Sequence, residues 1–523
     1  MAEKTFLLGV DVGTTGCKAV LVRGDGVVAG EATEEHPLST PRPLWAEQDP
    51  EDWWRGTVAS CRAVLDRAGV SPGAVAGIGL TGQMHGLVLL DRRGDVLRPC
   101  ILWNDQRTAA QCAAITERVG AGRVLEITGN PVLPGFTAPK IEWVRENEPA
   151  VFARIARVLL PKDFVRYRLT GVSATDVSDA SGTSLLDVAR RRWSEEMLAA
   201  LEVPRSWLPE VAESPVVSGH LAAAAAEATG LPAGIPVVAG AGDQAAQAVG
   251  CGVVSNGDAA VTLGTSGVVF AACREYRPEP EGRLHAFCHA VPGMWHLMGV
   301  MLSAGGSLRW YRDTIGEPER ARAAAEGRDP YEVLIASAAT VPAGCEGLMF
   351  LPYLTGERTP HADPYARGVF FGLTVRHGRP HLTRAVLEGV TYGLRDSLEL
   401  MRQLGLSVTR IRASGGGARS DVWLQMLADV FGCEVVTVGS GQGAACGAAL
   451  LAGVGAGVFP GVVEAARAAV DLTGSRTPGP DATVYADFHP RYRALYPALA
   501  GEFARVAGLV GPRAGAGTGA GRA

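Results

Sequence analysis

The stretch VDVGTTG (10–16) is echoed by VTLGTSG (261–267), about half the chain later. Each puts an apolar strand before a Gly-Thr-Thr/Ser-Gly turn and another apolar strand after it. Such a turn gathers backbone N–H groups and hydroxyls, which suits phosphate oxygens. One G-T-[ST]-G match is weak, because an ordinary hairpin can carry it. Two matches, each between strands and half a chain apart, predict two similar domains. With 523 residues the chain is too long for a single core. The expected boundary lies near 250–256, in VGCGVVSNGD, which gives domains over 1–252 and 253–508.

Composition narrows the function classes. Formal net charge is −5, with acids and bases mixed, and no long basic run predicts a nucleic-acid groove or an anionic membrane surface. No segment offers 18 apolar residues free of charge, so no membrane span is expected. The ten cysteines are scattered, none forms C-x-x-C, and no histidine cluster accompanies them. That argues against a zinc site and a disulfide scaffold, and for a reducing, cytoplasmic setting. The apolar run in MAEKTFLLGVDVGTTG is too short for a signal peptide. The tail 509–523, ending GPRAGAGTGAGRA, cannot bury a core and is expected to be disordered.

Strand and helix patterns alternate throughout, which signals α/β layers. FLLGVDV (6–12), CKAVLV (17–22) and VVAGEATEE (27–35) read as consecutive strands. Residues 49–68 read as a helix with Asp49 as N-cap and Pro50 at its first position. A strand over 75–81 and the run Leu87–Leu90 flank GQMHG (82–86) as two strands of a buried sheet. NDQRTAAQCAAITERV (104–119) reads as another helix.

Several loops can carry chemistry. In DVGTTGCK (11–18), Gly13 and Gly16 allow a tight turn with positive φ, Thr14 and Thr15 add hydroxyls, and Lys18 adds charge. Asp11 conflicts with a bound phosphate unless a cation lies between them, and Mg2+ resolves the conflict. A plain hairpin with a capping Asp fits the same residues. TLGTSG repeats the nest with Thr262 in place of Asp11, and two facing nests suit a triphosphate. SGGGARSD (414–421) follows a strand pattern and lets backbone approach a ligand closely. It is not G-x-G-x-x-G, so no dinucleotide fingerprint is supported. Ser420 or Asp421 would start the next helix. GQGAACGAALLAG (441–453) reads as a small-residue helix built for close packing. In AGAGDQAAQAVG (239–250), Asp243 is a helix N-cap, a general base at a glycine-walled site, or both. A plain hairpin would put two turn residues such as Asn-Gly where GQMHG has Gln83, Met84 and His85. Taken alone, those residues fit core packing as well as ligand contact.

These loops, in this order, resemble the FGGY family of carbohydrate kinases, within the actin, heat-shock-chaperone and sugar-kinase superfamily. The resemblance rests on PLWAEQDPEDWW (43–54), GQMHG (82–86), ILWNDQRT (101–108), NPVLPGFTAPKIEWV (130–144), LLPKDFVRYRLTG (159–171), SDASGT (178–183), GDQAA (242–246), LGTSGV (263–268), LPYLTGERTPH (351–361), RGVFFGLT (367–374) and GGGARSDVWLQMLAD (415–429). It covers about residues 5–500 and is closest to the xylulose-phosphorylating members. Glycerol-specific members carry an Arg-Glu pair where this chain has Met84-His85.

The resemblance implies two ribonuclease-H-like α/β domains around a deep interdomain cleft. It implies ATP-dependent phosphorylation of D-xylulose to D-xylulose 5-phosphate, with Asp243 as general base. Asp11, with Asp243, would serve Mg2+. Gly13, Thr14, Thr15 and Lys18 would face the phosphates, opposite Gly264, Thr265 and Ser266. Gly416, Gly417 and Ser420 would lie by the adenosine. Met84, His85, Trp103, Asp243 and Gln244 would line the sugar. Gln244 and Ser420 stand where some relatives have Asn, which implies altered hydrogen bonding. A homodimer is implied by analogy. Other ketoses or polyols (ribulose, gluconate, fuculose) are the near alternative. A non-catalytic actin-like nucleotide switch is the distant one.

Overall fold

The computed structural model describes residues 5–439 and 443–510. Of the expected tail, 511–523 lie outside the described residues, as do Gly441 and Gln442 of GQGAACG; residues 509 and 510 close the helix Ala482–Val510. Contacts divide the chain into two units. The first comprises the chain up to Ala260, Phe270–Leu297 and Val438–Thr473; the second comprises Val261–Val269, Met298–Thr437 and the chain from Gly474. Two later segments, Phe270–Leu297 and Val438–Thr473, return to the first unit.

The first unit is built on a seven-stranded sheet. Strands β1 (Phe6–Val12), β2 (Gly16–Arg23) and β3 (Val28–Glu35) form the expected antiparallel meander. Strand β4 (Val75–Gly82) lies parallel to β1 on its other side, followed by Pro236–Val238 and Val217–His220, and Ala241–Gly242 also pairs with β4. β1 and β4 are buried almost throughout, which explains their continuous apolar sequence. The helix Pro50–Ala68 begins as expected, with the Asp49 carboxylate accepting from the Glu51 N–H. It packs on β2 and β3: a Cβ at Gly56 would lie 3.2 Å from Cys17, and one at Gly30 would lie 3.2 Å from Ala68. The helix Ala444–Gly455 packs against β1 and β4 so closely that a Cβ at Gly9 or Gly79 would lie 1.9 Å from the Ala445 or Ala448 carbonyl oxygen. Leu8, Val10, Ile78 and Leu80 form one core with Trp53 and Val64. A second core gathers Leu87, Leu89, Ile115, Ile141 and Trp193.

Two local expectations need correction. The strand after GQMHG, Val88–Leu90, pairs with Arg157–Leu159 and not with β4. His85, at φ 69°, turns the chain out of the first sheet. The helix expected over 104–119 begins only at Ala109. The Asp105 carboxylate is held by the Ala46 N–H at 2.7 Å and by the Arg107 guanidinium at 2.7 Å, which keeps 104–108 out of the helix.

The other seven-stranded sheet runs His285–Cys288, Trp295–Met301, Gly267–Cys273, Ala259–Leu263, Arg410–Ser414, Glu434–Val438, Leu472–Arg476. In the second unit the long, largely buried helix Arg379–Gln403 supplies much of the core. Among the described residues no helix is long and apolar enough to cross a membrane.

Candidate active site

In the first unit three parallel strands end side by side. Asp11 of β1 lies opposite Thr81 of β4, and Ala241 and Gly242 pair with Thr81 and Gly82. Asp11, Gln83 and Asp243 therefore emerge at one carboxyl edge of the sheet, where ligands bind in open α/β folds. Asp243 is the first residue of the helix Asp243–Gly250. Its Oδ1 accepts from the adjacent Gln244 N–H at 2.7 Å, so it does not act as the N-cap; Gly242 occupies that position. Burial pushes its pKa up to about 6, opposed by hydrogen bonds from the Gln244 backbone and side chain. Burial, and then the nearby Asp243 charge, push Asp11 up to about 7, opposed by Lys18. Asp11 Oδ1 is buried without a hydrogen-bond partner. A buried, unsatisfied carboxylate oxygen beside a second carboxylate fits a divalent cation.

The first turn is closed by the Gly13 N–H donating to the Gly16 carbonyl at 3.0 Å. Neither glycine is at positive φ, contrary to expectation. Gly16 is required for space, since a Cβ there would lie 2.7 Å from the Glu34 carbonyl oxygen. Thr14 is tied into a network of amides and indoles. Trp103 Nε1 donates to its hydroxyl at 3.0 Å, and that hydroxyl donates to Gln83 Oε1 at 3.2 Å. Gln48 Nε2 donates to the Thr14 carbonyl at 2.7 Å. Gln48 Oε1 accepts from Gln83 Nε2 at 2.9 Å and from Trp53 Nε1 at 3.1 Å. The phosphate-type turn and the GQMHG loop thus share one hydrogen-bonded frame. Thr15 is exposed at the tip. Lys18 lies opposite Asp11, with its Nζ 2.7 Å from Glu31.

Met84 is buried and packs on Gly242, where a Cβ would lie 2.9 Å from its Cγ and Sδ. It therefore touches the residue preceding Asp243. The His85 ring stacks on Phe136 at 4.5 Å, nearly parallel. Its Nδ1 lies 2.7 Å from the Gly182 carbonyl. A carbonyl only accepts, so Nδ1 carries a proton and donates to it. Trp103 is 41% exposed, a large flat surface open to a ligand.

A buried ionic cluster supports the Asp243 strand. Lys162 Nζ lies 2.6 Å from Asp163, 2.9 Å from Asp176 and 3.2 Å from Asp179. Burial works against its charge, but the three carboxylates outweigh burial and raise its pKa. Asp176 accepts from the Ser178 hydroxyl, and that hydroxyl accepts from the Gly242 N–H at 3.1 Å.

In the second unit, Gly264–Ser266 closes a turn one residue tighter than the first, with the Gly264 N–H donating to the Ser266 carbonyl at 3.0 Å. The amides of Gly305 and Gly306, opening the helix Gly305–Thr314, donate to the Gly264 and Thr265 carbonyls at 2.8 and 3.0 Å. Thr265 and Ser266 stay exposed. The 414–421 loop is adjacent: Thr262 and Ser414 hydroxyls lie 3.1 Å apart. Gly415, at φ 86°, sits so close to Leu263 that a Cβ would lie 2.6 Å from its carbonyl oxygen. Gly416 faces open space, Gly417 packs on Leu263 and Trp423, and Ser420 caps the helix Asp421–Phe431 through the Trp423 N–H.

Residue patterns alone gave no role to Gln48, Lys140, Lys162, Ser178, Gly305 or Gly306. The first four lie within motifs that carry the family resemblance, which was the only signal for them.

The N-terminal domain of the FGGY family of carbohydrate kinases matches residues 6–250, and its C-terminal domain matches residues 259–456. The chain is 45% identical to the xylulose kinase of Escherichia coli (strain K12) over 94% of this chain and 99% of that protein. It is 47% identical to the xylulose kinase of Klebsiella pneumoniae over 86% of this chain and 89% of that protein. The crystal structure of xylulose kinase from Rhodospirillum rubrum superposes with a TM-score of 0.89 at 36% identity, covering 96% of this chain and 100% of that one. With both domain types matched in order and relatives this similar along nearly its whole length, the chain belongs to the FGGY family of carbohydrate kinases.

Proposed function

We propose that this chain transfers the γ-phosphoryl group of ATP to the C5 hydroxyl of D-xylulose. The observation that carries the reading is the placement of Asp243. Its carboxylate, pushed up to about 6, follows directly on the glycine against which Met84 packs, in the same frame as His85 and Trp103. A base poised near neutrality beside a polar and aromatic wall suits abstraction of a sugar hydroxyl proton. The similarity to xylulose kinases of two bacteria supports D-xylulose as that sugar.

In the proposed step Asp243 accepts the hydroxyl proton as the sugar oxygen forms its bond to the γ-phosphorus. The bond from that phosphorus to the bridging oxygen breaks, and ADP leaves with the electron pair. His85 Nε2 accepts from a sugar hydroxyl, Met84 covers sugar C–H groups, and Trp103 supplies a flat wall. Gln244 orients Asp243. Gly13, Thr14, Thr15 and Lys18 bind phosphate oxygens, Lys18 leaving Glu31 to do so. Gly264, Thr265 and Ser266 contribute the second phosphate turn, and Gly416, Gly417 and Ser420 flank the adenosine. Asp11, with Asp243 near it, would hold Mg2+, which supplies positive charge toward the phosphates when bound. The ten cysteines are buried and none forms a disulfide, which supports a cytoplasmic setting, and a homodimer is the proposed assembly.

The test is ADP release by the full chain with Mg2+-ATP, with and without D-xylulose, D-ribulose, L-ribulose, glycerol and gluconate. Stimulation by D-xylulose above the others is expected. Asp243→Asn should lower kcat by roughly 10²–10⁴-fold with the fold retained. Full activity in that variant would remove Asp243 as the base.

A further inference from the structure

Two lysines of the first unit are wholly buried, in opposite settings. Lys162 has three carboxylates around it. Lys140 has none within ion-pair distance among the described residues; its Nζ donates to the His85 carbonyl at 2.8 Å and the Gly135 carbonyl at 2.7 Å. Burial pushes its pKa down to about 7, and the more distant Cys100 and Asp105 do not offset this. A buried amine with no counter-charge is unfavourable for the fold, and an apolar side chain of similar volume is often no worse. Its location is therefore informative.

Both carbonyls belong to the sugar wall. His85 is held in a left-handed backbone conformation that a β-carbon disfavours, at φ 69°. Its carbonyl also accepts from the Thr137 hydroxyl at 3.1 Å. Phe136, between Gly135 and Thr137, is the platform for the His85 ring. Gly135 lies against Trp103, where a Cβ would be 2.4 Å from the Trp103 carbonyl oxygen. The segment 135–140 thus backs both Trp103 and His85, and Lys140 ties its two ends together.

We propose that Lys140 is a positioning residue for the sugar: by clamping the His85 and Gly135 carbonyls it fixes where His85 and Trp103 meet the ligand. This rests on the sugar-kinase reading above. A neutral amine still donates two N–H bonds, so the clamp persists on either side of its titration.

Lys140→Met keeps length and apolar volume while removing the donors. In steady-state kinetics on the full chain, KM for D-xylulose should rise by about tenfold, with KM for ATP and kcat at saturating sugar unchanged. An unchanged sugar KM would overturn the proposal, as would equal losses toward sugar and ATP, the mark of general damage. Should Lys140→Met not accumulate folded, Thr137→Val removes the other donor to the same carbonyl. It should raise the sugar KM several-fold, and an unchanged value would overturn the proposal as well. The wild-type protein run in parallel separates the two levels: no sugar stimulation there removes the kinase reading itself, whereas normal wild-type activity with an unaltered variant removes only the role of Lys140.

Discussion

His289 and His296 are buried in the first unit beside Phe270, with the His296 ring stacked on Phe270 at 4.3 Å. Burial pushes His289 down to about 3 and His296 well below its usual range, with Arg191 opposing charge on the first and His289 and His285 opposing it on the second. Both stay neutral in the folded protein and take up a proton on unfolding in acid. Stability is therefore fully present above about pH 6.5 and should fall by about 1.4 kcal/mol per pH unit per histidine as pH drops from there toward 3. The buried carboxylates Asp11 and Asp243, raised to about 7 and about 6, oppose this trend in the wild type, so the histidine contribution is read as a difference: between pH 8 and pH 5, urea midpoints of His296→Phe should lose less stability on acidification than those of the wild type. Neither histidine was legible as special in the sequence, because nothing local distinguishes a buried His from an exposed one. The positions of Asp11 and Asp243 follow from local pattern, one near the end of a strand before a glycine turn and the other opening a helix after Gly242; their roles belong to the proposal above. Gln48, Lys140 and Ser178 were not legible, because each acts on backbone 34, 55 or 64 positions away.

The strands β1 to β4, the helix Pro50–Ala68 and its Asp49 cap were readable from periodicity and capping chemistry, both of which are local. Where the next strand pairs was not, since the partner of Val88–Leu90 lies at 157–159. The small-residue helix was read correctly as a close-packing element. What it packs on is set by tertiary structure: the backbone of Ala445 and Ala448 meets Gly9 and Gly79. Gly79→Ala puts a methyl group 1.9 Å from a carbonyl oxygen, so helix and sheet must separate. A loss of about 1–3 kcal/mol or more is expected from such overpacking, read as a lowered melting temperature. The same change at Gly69, where nothing lies within 4 Å, should cost only the strain of its positive φ.

The whole molecule is organised by a chain that leaves the first unit and returns to it, with Phe270–Leu297 and Val438–Thr473 completing what the first 260 residues begin. Two sequence-matched domains, ending at 250 and beginning at 259, do not coincide with those units. A fragment ending at Ala260 would expose the face of β1 and β4 that Ala444–Gly455 covers. It is expected to aggregate or to lack a cooperative melting transition, which circular dichroism of the purified fragment would show. On the ribosome, β1 and β4 emerge early, but their partner helix emerges only after residue 455 has been made. At ~5–20 residues per second, that apolar face waits tens of seconds uncovered. For most of the time the chain takes to be made, that face is open to contacts other than its native one.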